Sequence, residues 1–364
     1  LMQEDNPEYA PRSIFDREQT EEDDLWFVPP PPDGDSAPTD LPWKAVQPSD
    51  DLLRPSGWAR AQSALAMELA GAAMAYGALD ERLRQAPEGW RMRIILMEVA
   101  DLGWHLGDRI GADRLALYMA TRLSGASDDA QALARAAWAV RRLEGRMELN
   151  RRTLAGFIGR ERSEQTEHPD LIMRPTGDDF GSLAADWFAV FDDAPDLHPL
   201  TRSALAWHAW RRHALSGDEA ELEGAVVAAR LGAEDVRQRD GGLGFVPAAM
   251  SGSGAHRVSG GVRQRLSAWY TGIERACLRG LMECDRVAEW TERATKATSD
   301  LSGRTPPQLV EALARWPLVS APMLEARTKA SRAAVQRNML LFEKRGLVRE
   351  VTGQERFRYW SISA

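Results

Sequence analysis

The stretch 328–362, TKASRAAVQRNMLLFEKRGLVREVTGQERFRYWSI, decides how the chain reads. Ser331 stands where a helix N-cap belongs, and Gly346 stands where a helix stops. Between them Val335, Met339 and Phe342 recur at i, i+4 and i+7, which gives one apolar face for a core. The opposite face carries Arg332, Ala333, Gln336, Arg337 and Leu340. After the glycine, LVREV and RFRYWSI flank Thr352-Gly353-Gln354-Glu355, the pattern of a β-hairpin. Upstream, PPQLVEALARW (306–316) and APMLEART (321–328) read as two further short helices, the second capped by Ser320 with Pro322 in its first turn. Three helices followed by a hairpin are the elements of a winged helix-turn-helix.

Those elements imply a chemistry. A major groove about 12 Å wide accepts one helix, whose first residues reach base edges while the others brace it. Arg332, Ala333 and Gln336 are therefore the expected base contacts: small Ala333 permits close approach, and Arg and Gln offer bidentate forks for guanine and adenine. Thr328, Lys329, Ser331, Arg337, Arg356 and Arg358 are the expected phosphate contacts, which give affinity without sequence preference. One departure is visible. The turn before the third helix reads Lys329-Ala330, where many such motifs carry a glycine.

Charge supports the same division. The chain has 364 residues and a formal net charge of -8, yet residues 304–364 hold eleven Lys and Arg against five acids. An acidic body is repelled by phosphate, so contact with duplex DNA is expected only of the C-terminal segment.

The rest of the chain reads as mainly α. Residues 1–45 form an acidic, proline-rich arm. Residues 46–300 form an all-α domain with Ala, Leu and Met at helical spacing, and residues 301–364 form the winged helix-turn-helix. Ser127 or Asp128 is expected to open one Ala-rich helix. A glycine-rich loop, 240–261, lacks the GK[ST] of a phosphate cradle and reads as a mobile surface loop. TSDLSGRTPPQ (298–308) reads as a hinge. No apolar run reaches the ~20 residues of a membrane span, and the acidic N-terminus lacks the apolar core of a signal peptide, so a cytoplasmic protein is expected.

SRAAVQRNMLLFEKRGLVREVTGQERFRYW resembles the helix-turn-helix domain that ends a family of largely uncharacterised proteins, many encoded on plasmids of plant-associated, nodulating bacteria. WKAVQPSDDLLRPSGWARAQ, DRLALYMATRLSG, AAWAVRRLEG and HPLTRSALAWHAWR are similar to the helical domain preceding it there. The resemblance implies a fold and a DNA-binding module, and no established activity.

Other chemistry has weaker footing. His198-Pro199-Leu200 resembles the opening of the Fic adenylyltransferase motif. The chain continues Thr201-Arg202-Ser203-Ala204 where that motif has Gly-Asn-Gly-Arg, so the anion cradle is missing and His198 reads as a helix opener. His208 and His213 are five apart, off one helical face, and no metal site is expected. Asp178-Asp179 and Asp192-Asp193 read as partners of helix dipoles. Trp207 and Trp210 read as core. Cys277 and Cys284 lie seven apart in one helix, a rise of ~10 Å that exceeds disulfide reach, so reduced thiols are expected.

The sequence thus points to a regulator that binds double-stranded DNA, with a helical body for dimerisation or sensing and no cofactor. A homodimer is the expected assembly, and a small-molecule effector is left open. A divergent Fic-like enzyme and a plasmid maintenance or replication accessory are the alternatives.

Overall fold

In the computed structural model, residues 50–122, 129–160, 175–192, 194, 196–217, 221–233, 242–353 and 357–363 are described. The acidic arm, Ser127, Asp128, Asp193 and most of the connection after residue 160 lie outside them. The described residues form thirteen α-helices and one small sheet. The helices of the body are α1 (Pro55–Ala64), α2 (Ala66–Gln85), α3 (Glu88–Leu106), α4 (Ala112–Thr121), α5 (Ala130–Glu144), α6 (Leu154–Ile158), α7 (Gly177–Asp192), α8 (Pro199–Arg212) and α9 (Glu221–Leu231). A 36-residue helix, α10 (Val262–Ala297), leads into α11 (Thr305–Arg315), β1 (Val319–Ser320), α12 (Ala321–Thr328), α13 (Arg332–Lys344), β2 (Val348–Glu350) and β3 (Tyr359–Ile362). The architecture is mainly α, a multi-helix body followed by a winged helix-turn-helix.

In the body, α2 and α10 run side by side in the same direction. Gly71 faces Glu274, Arg82 pairs with Asp285 at 3.1 Å, and Gly280 admits Leu79 so closely that a Cβ there would lie 2.8 Å from its methyl. Helix α8 is buried from Leu200 to Trp210 except at Arg202, the mark of a central helix. Trp207 and Trp210 are core residues whose indoles donate to His256 O and Ser216 Oγ. Cys277 and Cys284 are free thiols, both buried. The cap of α5 is Asp129, one residue beyond those expected, and its carboxylate accepts the N–H groups of Gln131 and Ala132.

The glycine-rich loop departs most from expectation. Leu243, Phe245, Val246, Ala248, Ala249, Met250 and Ala255 are buried, so residues 243–250 are core backbone rather than a surface loop, while Gly252, Arg257 and residues 259–261 are exposed. Buried backbone needs partners. Glu98, itself buried, accepts the N–H groups of Ala248, Ala249 and Met250 at 2.8, 2.8 and 2.9 Å, and Asp80 accepts that of Leu243 at 2.7 Å. Burial pushes the Glu98 carboxyl above the ordinary carboxylate range against the pull of those three donors. Arg230, equally buried, donates to the carbonyls of Arg142, Gly145 and Met147. Charged side chains from helices thus satisfy the loops, a task composition alone does not reveal.

Two apolar cores share α10. The body's core ends near Cys284, and a second begins at Val287, Trp290 and Ala294 before taking in α11, α12, α13 and the sheet. The expected hinge is accordingly braced. Trp290 donates to Leu347 O at 2.7 Å, Arg345 pairs with Asp300 at 2.7 Å and also donates to Ala297 O, and Leu301 packs on the second core.

From the body, α3 grips the far end of α11. Arg93 donates through Nη2 to the carbonyls of Leu313 (3.0 Å) and Trp316 (2.6 Å), and Trp90 donates to Ala314 O (3.1 Å). A guanidinium there satisfies carbonyls that a helix end leaves open. Burial pushes the Arg93 guanidinium down to about 10. Gly89 makes the approach feasible, since a Cβ at that position would fall 1.9 Å from Arg315 O. Gly89→Ala should therefore force α3 and α11 apart. We expect it to cost about 1–3 kcal/mol in denaturant unfolding and to speed proteolytic release of the C-terminal segment. An unchanged midpoint and digestion pattern would remove the grip from this account.

Candidate nucleic-acid interface

The C-terminal elements bury one side of α13 and leave the other open. Val335, Met339 and Phe342 are wholly buried among Leu309, Leu313, Leu324 and Trp290, and this orients the helix. Arg332, Ala333, Gln336, Arg337 and Leu340 are exposed. Arg332 and Arg337 make no ion pair among the described residues. Ser331 caps the helix, with Oγ accepting Ala334 N–H at 3.3 Å. The first N–H groups of α13 lie beside it, and helix N-termini attract anions.

The turn from α12 to α13 answers the question raised by Lys329-Ala330. Lys329 adopts the left-handed conformation, φ 53° and ψ 25°, which glycine adopts without strain. Its side chain is exposed. Thr328 needs a correction. It was expected on phosphate, but it is buried with 4 % exposure; its hydroxyl donates to Leu324 O at 2.7 Å and accepts Ala330 N–H at 3.3 Å. Thr328 is a strut of the turn, its hydroxyl proton engaged inside the domain.

The sheet is three-stranded and antiparallel in the order β1-β3-β2, with Val348 opposite Ile362 and Val319 opposite Trp360. The strand β1 is an addition to the expected hairpin. Glu350 shapes the wing turn, accepting the Thr352 hydroxyl and the N–H groups of Thr352 and Gly353, both at 2.8 Å. Burial raises its carboxyl, but those bonds and the nearby Arg358 outweigh it, and the net shift is downward. Arg358 is half-buried beside that carboxylate, and Arg356 lies outside the described residues.

The structure also sorts the remaining cations. Arg345 is held by Asp300, and Arg349 by Asp113 of α4, so neither belongs to the open face. Lys329, Arg332 and Arg337 remain on it. One residue passed over in the sequence is Phe357, 84 % exposed with φ 58° in the wing. Its signal was its place between Arg356 and Arg358 in a segment of alternating character.

His198 opens α8, with Nδ1 accepting Leu200 N–H and its own N–H donating to Gln62 Oε1. Thr201 bonds Gln62 and Tyr270 at 2.6 Å each. His208 stacks on Trp58, and burial pushes its imidazole well below the usual range, as it does for His256, brought down to about 3. Asp178 and Asp179 sit in the first turn of α7. Asp192 pairs with Arg151. Among the described residues no three His, Cys, Asp or Glu side chains group as metal ligands, and no helix is long and apolar enough to cross a membrane.

Comparison with known families agrees with the geometry. Residues 306–363 match the family described as an HTH DNA binding domain, a span that runs from α11 through β3. The C-terminal segment is a helix-turn-helix DNA-binding domain. No curated protein matches the chain.

The strained lysine offers a test. Lys329→Gly relieves a left-handed non-glycine residue, so we expect it to raise stability by about 0.5–1 kcal/mol in urea unfolding. Loss of the ammonium should at the same time weaken binding to duplex DNA and flatten the salt dependence by about 0.9. A variant that binds as tightly as the wild type would take Lys329 off the interface.

Proposed function

We propose that this protein is a transcriptional regulator that reads duplex DNA through α13 and its wing, with the helical body serving dimerisation or sensing. The observation that carries this reading is the two-sidedness of α13 within a helix-turn-helix domain. Its apolar side is wholly buried, and Arg332, Ala333, Gln336 and Arg337 stand open on the other. In this reading Arg332 and Gln336 meet base edges, with Ala333 close against the groove wall. Lys329, Ser331, Arg337, Arg356 and Arg358 meet phosphates. Phe357, an exposed ring in the wing, acts as an apolar wedge in the adjacent minor groove.

Two copies pair through the body. Met67 and Met74 on α2 and Leu278 and Met282 on α10 are exposed on adjoining helices, an apolar strip that a second copy would cover. The pair then spans two half-sites about 34–36 Å apart. We read the body as non-catalytic. A plasmid maintenance role would use the same DNA chemistry.

Truncation is a poor test, because removing residues 304–364 uncovers Trp290 and Val287. Point variants are better. Binding sites selected from random duplexes, followed by gel shifts at several salt concentrations, should show affinity falling steeply with salt. Arg332→Ala and Gln336→Ala should each cost about 1–3 kcal/mol on the selected site and relax its sequence preference. Arg337→Ala should weaken all duplexes alike. Identical effects of the three variants, or binding indifferent to salt, would overturn the assignment.

A further inference from the structure

Beneath the wing lies a cavity of about 260 Å³, walled by α3, α4 and α10 of the body on one side and by Pro317, Arg349, Ser361 and Ile362 of the C-terminal domain on the other. Its position matters more than its size. An occupant would touch the body and the DNA-binding domain at once, and few places in the fold offer that.

The charges lining it are unequal. Arg286 and Glu283 neutralise each other through two bonds of 2.7 Å, and Arg349 is matched by Asp113. Arg93 has no carboxylate partner among the described residues. It is 6 % exposed, its Nη2 serves backbone carbonyls, and its Nε is buried with no partner. Glu283 and Asp113 support its charge through space without bonding it, and a buried cation that no carboxylate touches directly favours an anion. The Arg349–Asp113 pair is exposed on both partners, and such pairs are weak and readily exchanged. An incoming carboxylate can therefore compete with Asp113 for a second guanidinium. The remaining wall is apolar, made by Leu96, Met97, Ala112, Ala116 and Ile362. The volume is just below the ~300 Å³ at which ordinary ligand pockets begin, so the ligand is small.

We propose that this cavity binds a small carboxylate with an apolar body, its head between Arg93 and Arg349, and that occupancy is felt by the wing through Arg349. The site itself does not depend on the regulator reading; the coupling to DNA rests on it. Arg349 begins on the wing strand β2, and a ligand that draws it from Asp113 changes what ties the wing to α4. This gives two sites and one shared element, the minimum for allosteric coupling.

Calorimetric titration of the full chain with benzoate and hexanoate, free of DNA, tests the site. Benzamide supplies the same shape without charge, and acetate the charge without the apolar body. We expect saturable binding of benzoate or hexanoate, about tenfold weaker or worse for benzamide and acetate. Ala112→Trp, at the half-buried first position of α4, should fill the cavity and abolish binding while leaving the circular dichroism spectrum intact. Arg349→Gln, at an exposed position, should weaken binding about tenfold and serves should Ala112→Trp misfold. No heat with either acid, benzamide binding equally well, or binding untouched by both variants would overturn the site. A second arm repeats the gel shift with saturating benzoate, where we expect the midpoint to move about fivefold or more. An unmoved midpoint with calorimetric binding intact overturns the coupling alone. Absence of any DNA complex overturns the regulator reading and leaves the calorimetric result standing.

Discussion

A single guanidinium, that of Arg93, sits where the first helix of the DNA-binding domain runs out of hydrogen-bond partners. The last carbonyls of a helix must find donors if they are buried, and each left orphaned costs about 1–3 kcal/mol. Arg93 and Trp90 supply those donors from α3, in the other core. The C-terminal domain therefore completes its own hydrogen bonding only against the body. Gly89 fits the same constraint from the other direction, by being small where a carbonyl passes.

That docking determines what the domain can present. With α11 held on α3, and Trp290 of α10 reaching Leu347, the inner side of the three-helix unit is covered. What remains outward is the face of α13 that carries Arg332, Gln336 and Arg337. The 36-residue α10 makes the arrangement stiff, because one continuous helix contributes side chains to both cores. The charges follow the same division. Arg345 binds Asp300, just beyond the long helix, and Arg349 binds Asp113 of α4, and the cations of the open face stay available for phosphate.

The parts of this structure that were legible in the sequence are those governed by local rules. Ser320 and Ser331 cap, Gly346 stops α13 with φ 67°, and Val335, Met339 and Phe342 mark the inward face, each by a rule that spans only a few residues. Among the parts that were not legible, several depend on contacts made 150 or more residues away. The loop after residue 241 looked exposed because glycine and serine dominate its composition, yet Glu98 and Asp80 make it core. Thr328 was placed on phosphate because of its neighbours in sequence, whereas the α12 carbonyl beneath it claims the hydroxyl. The two-residue strand β1 is too short to carry any alternation. Nothing in the local pattern at Gly89 or Arg93 announces that another domain will rest there.

Hydrogen exchange of the full chain, with and without duplex DNA at low salt, tests most directly whether the outward face of α13 is the reading surface. The account predicts slowed exchange at residues 329–337 and in the wing at 357–359, with α8 and α9 unchanged. Protection confined to the helical body, with the α12–α13 turn exchanging as freely as before, would contradict it.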